Sequence, residues 1–400
     1  MNKKPRILYI AWTPPSTHSG ACLAMRRHLI ERQDFVTCVL TNQSFSDPEV
    51  RSRCFLRPPW LERAMRTRFR SLIRQGEMLF LGRWMLSTAL KLASEFKPDI
   101  VLTIPDNDVS WCAYLTARHL KLPLVANFQD WWPHNLYWSE SERPFAPVRR
   151  LIEHRFRRMY AASKLAFCTS EGMKEWLGPH RNAVTLFPCP GSAPTNVSAA
   201  SAPHGSKPLR VFYAGTITGS YGCLVLSLAR ELADSPKFRL VVYGPSPDWN
   251  EPDVSWAMAK GIYRGFVSHD ELRGLLPSAD VFLTVMSFEE PLKLMSRVSF
   301  TTKFLEYTQY GRPIVVWGPS YCQPVIVAKK TTAGLPIESP DPAAVVSALE
   351  QLTSESEYNR FTTGAIRAAE TFFSPDCIHE VFKSSILGIT QKSKQPSNGS

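Results

Sequence analysis

The sequence predicts an α/β protein of two tandem, doubly wound, Rossmann-like domains facing across a cleft. Three observations carry this expectation. Short apolar runs alternate with helical patterns along most of the chain, and such alternation makes a parallel sheet with helices on both faces. The alternation stops in "PCPGSAPTNVSAASAPHGSKP", Pro188 to Pro208, a stretch rich in Pro, Ser and Ala that reads as a linker. Beyond it the plan restarts. "LRVFYAGTITGSYG" echoes "PRILYIAWTPPSTHSG": an arginine, a four-residue strand core, then a turn ending in glycine before a helix. The expected division is a first domain over 1–190, a linker over 191–208, a second domain over 209–374, and a C-terminal helix with a disordered tail over 375–400.

In the first half, "RILYIA" leads through a glycine turn into the helical "GACLAMRRHLIER", and "FVTCVLT" is the next strand. An arginine-rich helical region follows. The strands "PDIVLTI", "PLVANF", "KLAFCT" and "AVTLF" then alternate with helices, two of them near Val109–Leu120 and Val148–Ala162. In the second half the strand-like runs are "RVFYA", "RLVVYG", "GIYRGF", "ADVFLTV", "PIVVWG" and "TAGLPI", with a helix at Thr302 and helical segments from Pro342 onward. Ligands of such sheets bind outside the carboxyl ends of the strands, and with two facing domains the cleft is the default site.

The 400 residues are 44% hydrophobic and 20% charged, which suits a globular protein with two cores. The net charge of +12 favours anionic partners such as nucleotides or phospholipid surfaces. The arginines accompany no nucleic-acid fold, so nucleic acid is not an expected partner. Nine cysteines are scattered with no Cys-x-x-Cys, most within apolar runs. That is the pattern of reduced, buried thiols in a cytosolic protein. The first apolar run, Ile7 to Trp12, is too short for a signal peptide. "MLFLGRWMLSTALKLA" is broken by Arg83 and Lys91, so no membrane span is expected. No His and Cys cluster has metal spacing, and no serine- or cysteine-centred nucleophile motif occurs.

"TTKFLEYTQYGRPIVVWG", Thr301 to Gly318, reads as a short helix, a glycine stop and a buried strand. Lys303 stands at the positive end of that helix, a position that disfavours a cation. A capping box would need Ser or Thr three residues before Glu306, and Lys303 is there instead. On a helical wheel Lys303, Glu306, Tyr307 and Tyr310 share one side. An anion docked at the helix N-terminus would account for Lys303, and a carboxylate beside it suits sugar hydroxyls. A plain solvated helix face accounts for the same residues.

Other constellations carry similar pairs of readings. "NFQDWWPHN" follows a buried strand, so Asp130 and His134 could orient or deprotonate a hydroxyl, with tryptophans stacking on sugar rings. Equally, the segment is an aromatic loop with Asp130 as a helix cap. In "CTSEGM", Ser170 reads as an N-cap and Glu171 as a secondary ligand contact. His18 lies in the first glycine turn, in contact with ligand or with solvent. "DND", Asp106 to Asp108, looks like a metal motif but reads better as the cap of a helix starting near Val109. Trp60 to Gln75 is amphipathic: Trp60, Leu61, Ala64, Met65, Phe69, Leu72 and Ile73 form one stripe and Arg63, Arg66, Arg70 and Arg74 another. One helix with those faces suits an anionic membrane surface or packing on the core.

With these residues in view, the chain resembles the GT-B-fold, nucleotide-sugar-dependent glycosyltransferases of the bacterial envelope-polysaccharide, group-1-like type. The carriers are "KPDIVLT", "PLVANFQDWWPHN", "AFCTSEGMKEWL", "VFYAGTITGSYG", "YRGFVSHDELRGLLPSADVFLT" and "TTKFLEYTQYGRPIVV", spread over essentially the whole chain. The resemblance implies an acceptor site in the N-terminal domain and a donor site in the C-terminal one. It implies a diphosphate received by Thr302 and Lys303, ribose hydroxyls on Glu306, and Gly215, Thr216 and Gly219 approaching the diphosphate. Phe266 and Val267 would flank the base, and Gly20 would end an N-terminal loop reaching the donor phosphates. Asp130 and His134 would serve an acceptor hydroxyl on a glycan or lipid-linked glycan. No cofactor or metal is expected, since Lys303 and helix dipoles can stabilise a leaving diphosphate. The expected location is the cytoplasm, peripherally on the inner membrane face. One departure stands out. Retaining members often carry a second glutamate eight positions before Glu306, and this chain has Val298 there. A non-catalytic GT-B-like scaffold and a sugar-nucleotide epimerase are the alternatives.

Overall fold

The computed structural model describes residues 4–17, 20–105, 108–134, 144–191 and 207–392. The chain forms two compact units, one from Met1–Cys189 with Ile378–Ser400, the other from Pro190–Cys377. Most of the expected linker, the loop histidine His18, Asp106, Asn107, Asn135 and the last eight residues lie outside the described residues.

Among its described residues the N-terminal unit holds seven strands: β1 Arg6–Ile10, β2 Val36–Thr41, β3 Arg51–Cys54, β4 Ile100–Thr103, β5 Leu124–Phe128, β6 Leu165–Cys168 and β7 Ala183–Thr185. All pair in parallel, in the order β3-β2-β1-β4-β5-β6-β7. The side chains of a strand alternate between faces, and β1 shows it. Ile7 and Tyr9 join a core with Val39, Ile100, Leu102 and the C-terminal helix residues Ile378, Phe382, Ile386 and Ile389. Leu8 and Ile10 join the opposite core, with Leu81, Met85, Leu92 and Val109 of the helices on that side. With every β1 residue but Arg6 fully buried, each such side chain contributes on the order of 1.5–3 kcal/mol.

The C-terminal unit holds β8 Leu209–Ala214, β9 Phe238–Tyr243, β10 Val281–Val285, β11 Ile314–Trp317 and β12 Leu335–Ile337. They too are parallel, in the order β12-β11-β10-β8-β9. The α/β, doubly wound expectation therefore holds in both units. The "GIYRGF" run forms only an isolated bridge between Val242 and Tyr263, because Gly261 and Gly265 both take positive φ and interrupt it.

Two local expectations are corrected. Trp60 to Gln75 is not one helix but the end of Pro59–Ala64 and the start of Arg70–Trp84. Thr67 causes the break: its hydroxyl donates to Ala64 O at 2.7 Å and accepts from Phe69 N at 3.3 Å, replacing helical bonds. Within the expected apolar stripe only Leu61 is buried, while Trp60, Phe69 and Leu72 are more than half exposed. Asp108 precedes the Val109–Leu120 helix as expected but makes no side-chain cap bond. Its own φ and ψ are already helical, and a cap residue needs an extended backbone. Burial instead pushes its carboxyl up to about 7, with the nearby Arg74 opposing.

Candidate functional site

The order of the C-terminal sheet reverses between β8 and β10, so a ligand crevice is expected at their carboxyl ends. β8 runs out at Ala214 into Gly215, whose φ of +148° is rare for residues with a side chain. The loop packs closely. Gly215 N donates to Tyr243 O at 2.9 Å, and a Cβ on Gly244 would meet Gly215 O at 2.2 Å. Gly244 N in turn donates to Gly265 O at 3.0 Å, which sets Phe266, 74% exposed, beside the same loops. Thr216 and Gly219 are exposed, and Gly219 opens the Gly219–Leu232 helix.

Lys303 reaches this turn from the Thr302–Thr308 helix. A Cβ on Gly215 would lie 1.9 Å from both Lys303 Cε and Nζ, so the absence of a side chain there is what admits the lysine. Lys303 Nζ sits 4.9 Å from the Tyr213 ring centre and donates to Tyr213 Oη at 3.4 Å. No carboxylate lies within ion-pair distance of it among the described residues. Burial pulls the ammonium down to about 8, and the more distant Glu306 charge only partly restores it.

The helix is fixed to the strand it serves. Tyr307 Oη accepts from Ala214 N at 3.0 Å, and its ring stacks on Phe282 of β10 at 4.3 Å. Phe304, Leu305, Tyr307, Thr308 and Tyr310 are all buried, leaving Lys303 and Glu306 partly open. The wheel that grouped both tyrosines with a polar face is therefore corrected. They anchor the helix, because aromatic rings on a helix lying against a sheet find apolar cover.

Sequence reasoning missed two neighbours. Ser220 Oγ and Ser287 Oγ lie 2.6 Å apart, both buried, tying the first turn of the Gly219–Leu232 helix to the loop after β10. Asp248 accepts from Gly219 N at 2.7 Å and caps the helix that Thr218 leaves without a side-chain cap. Neither pair has a short-range sequence signature, since each joins residues that follow different strands. Val298 is fully buried at the end of the Lys293–Val298 helix, a position where a lone carboxylate would be costly.

In the N-terminal unit, Gly20 opens the helix after β1, and Asp130 lies exposed just beyond β5. Both are at carboxyl ends of the same sheet. His134 ends the short turn Trp132–His134. The tryptophans do not present sugar-stacking faces. Trp131 and Trp132 are 4% and 7% exposed, and Trp131 packs edge-on against Phe156 at 5.1 Å with Arg157 over its ring. Ser170 caps its helix by accepting from Met173 N at 3.0 Å, as expected, while Glu171 pairs with Lys174.

Residues 21–190 match the family described as Glycosyltransferase Family 4, and residues 209–355 match Glycosyl transferases group 1. The chain belongs to the glycosyltransferases. The two matches divide it as its two sheets do, and the group 1 region contains the Gly215 turn and the Lys303 helix. Among solved structures the glycosyltransferase is similar to sucrose-phosphate synthase from Thermosynechococcus elongatus, at 13% identity and TM-score 0.67, covering 98% of this chain and 100% of that one. It is also similar to Anabaena HepE, solved with UDP and glucose, at 12% identity and TM-score 0.63, covering 96% and 100%. WaaG, described as a glycosyltransferase involved in lipopolysaccharide biosynthesis, matches at 12% identity and TM-score 0.59 over 94% and 99%. At these identities the likeness shows the GT-B fold. No curated protein matches by sequence.

Proposed function

We propose that this nucleotide-sugar-dependent glycosyltransferase holds its nucleoside diphosphate sugar on the C-terminal unit and its acceptor, a glycan or lipid-linked glycan, on the N-terminal unit. The carrying observation is Lys303: a desolvated ammonium, without a carboxylate partner, set against a glycine turn at a sheet switch point. There it neutralises the diphosphate as it leaves, together with Thr302 and the backbone N–H groups around Gly215, Thr216 and Gly219. Glu306 takes ribose hydroxyls, and Phe266 and Val267 flank the base. The HepE complex with UDP and glucose supports the donor class.

Asp130, with His134, orients or deprotonates the acceptor hydroxyl in this reading. Its exposure at a strand's carboxyl end supports the role. A thermal-shift panel of nucleoside diphosphate sugars identifies the donor, since a ligand at 100 times its dissociation constant adds about 2.7 kcal/mol. With that donor, Asp130→Asn is expected to lower single-turnover transfer at least tenfold while leaving donor affinity unchanged. Full transfer with a lowered melting temperature would make Asp130 a structural residue.

The enzyme acts in the cytoplasm, peripherally on the inner membrane face, in the same proposal. The support is the surface around Pro59–Trp84, where Trp60, Phe69, Leu72 and Phe80 are each at least half exposed beside several arginines. No helix among the described residues is long and apolar enough to cross a membrane.

A further inference from the structure

The N-terminal unit contains a hollow, of about 1180 Å³, that belongs to none of the roles above. It is lined by Pro123 and Leu124 at the start of β5, by Lys164 just before β6 and by Asn182 just before β7. It therefore opens at the amino ends of these strands, while Gly20 and Asp130 follow the carboxyl ends of β1 and β5. One wall comes from the C-terminal helix, through Ser384, Ser385 and Ile389.

Its charge is one-sided. Arg118, Lys121, Lys164 and Arg181 line it, and no aspartate or glutamate does. None of the four forms an ion pair among the described residues, whereas Arg26, Arg57, Lys174 and Lys383 elsewhere in the unit each have a carboxylate. Helix C-termini account for part of this, because Arg118 and Lys121 end the Val109–Leu120 helix and complement its dipole. They do not account for Arg181, which lies in the loop between the Glu171–Leu177 helix and β7. His180 adds no charge-neutral donor to the hollow: its ring nitrogens are taken by Ser163 O and Asn182 N at 3.1 and 3.0 Å.

We propose that this hollow binds a small soluble ligand carrying two or more phosphate groups. Four like charges around one concavity repel one another until an anion with several charged groups bridges them. The apolar floor of Pro123, Leu124 and Ile389 suits the ligand's organic body. A membrane headgroup fits less well. None of the large exposed apolar side chains, such as Trp60, Phe69 or Phe80, lines the hollow, so nothing there enters a bilayer.

The test titrates inorganic tripolyphosphate calorimetrically into the full chain, and into Lys303→Ala to remove the candidate donor site. A third protein places Lys164→Glu and Arg181→Glu in Lys303→Ala to alter the hollow. Both positions altered in the hollow are exposed, so the fold is retained, which a melting curve checks. Tripolyphosphate is expected to bind Lys303→Ala, where only the hollow remains, to weaken at least tenfold when Lys164→Glu and Arg181→Glu are placed in that same protein, and to weaken with salt. Arg118→Gln with Lys121→Gln is expected to give a smaller loss. Absence of binding to Lys303→Ala overturns the proposal. So does undiminished binding in the charge-reversed protein. Sedimentation with phosphatidylglycerol vesicles that depends on Lys164 and Arg181, without tripolyphosphate binding, makes the surface a membrane contact and also overturns it.

Discussion

Lys303 occupies a position that disfavours a cation, and the proposed donor site would turn that to use. A lysine in the first turn of a helix opposes the dipole by a few tenths of a kcal/mol up to about 1 kcal/mol. Here the ammonium is also desolvated, which lowers its proton affinity to about 8. In the proposed donor site both penalties would diminish on binding, because an anion beside a partly desolvated cation is worth more than one in water. Gly215 is the other half of the arrangement, since any side chain there occupies the lysine's place. A buried histidine responds to burial in the same direction and loses its charge altogether at neutral pH. His28 lies in the Arg27–Glu31 π-helical turn, with its Nδ1 3.1 Å from His379 Nδ1 and its ring stacked on Phe382 at 4.4 Å. Burial, then His379, Arg32 and Arg27, lower it from 6.5 to about 3. Beyond His379 lie Asp34 and Lys383, paired with each other at 2.8 Å. The folded pKa is below the unfolded one, so the unfolded chain binds more protons between them. Stability from neutral His28 is thus full above about pH 6.5 and is lost as pH falls toward 3, by up to about 1.4 kcal/mol per pH unit. His28→Gln is expected to flatten the fall in melting temperature between pH 6.5 and 4.5. An equally steep fall in that variant would contradict the assignment.

At the scale of elements, the sequence was most legible where one period dominates. The apolar runs at Ile7, Val101, Val125, Val211 and Val315 all became buried parallel strands, because a buried strand needs only a short continuous apolar run. β3 was not legible. "RSRC" lies at the sheet edge with half its residues exposed, and it was absorbed into the arginine-rich helical region. The Trp60–Gln75 segment failed for another reason. Its apolar spacing fits a helix, but Thr67's hydroxyl bonds, which end the first helix, are invisible to periodicity. The break leaves aromatic and basic groups on the surface of two short helices. If they contact a membrane, sedimentation with anionic vesicles should fall with salt and on changing Arg63, Arg66 and Arg70 to Gln. Binding that ignores both changes, or none at all, would leave the patch without a membrane role. Two parts of the candidate site are short local patterns in the sequence, the glycine turn at Gly215–Gly219 and the Lys303–Glu306 pair, and the fold brings Lys303 against Gly215. The site's hydroxyl pair and Asp248 were not legible, because they meet only after the sheet forms.

At the scale of the whole molecule, the chain returns to its beginning. The spacing of Ile378, Phe382, Ile386 and Ile389 announces an amphipathic helix, yet only the folded chain shows that its apolar face completes the N-terminal core. The net charge of +12 is likewise shared out, among the candidate diphosphate turn, the exposed arginine surface and the hollow beneath β5 and β6. For the first of these, the most direct measurement is the calorimetric affinity for the donor selected by the thermal-shift panel, from pH 6.5 to 9.5, in the full chain, Lys303→Ala and Gly215→Ala. The proposed donor site requires a cationic Lys303, and burial lowers its pKa to about 8 in the free protein. The full chain should therefore bind with constant affinity up to that pH and lose up to about tenfold per pH unit above it. Both variants should bind at least tenfold more weakly at pH 7, with no such break. Affinity that is independent of pH in the full chain and unchanged in Lys303→Ala would contradict the placement of the donor at this turn.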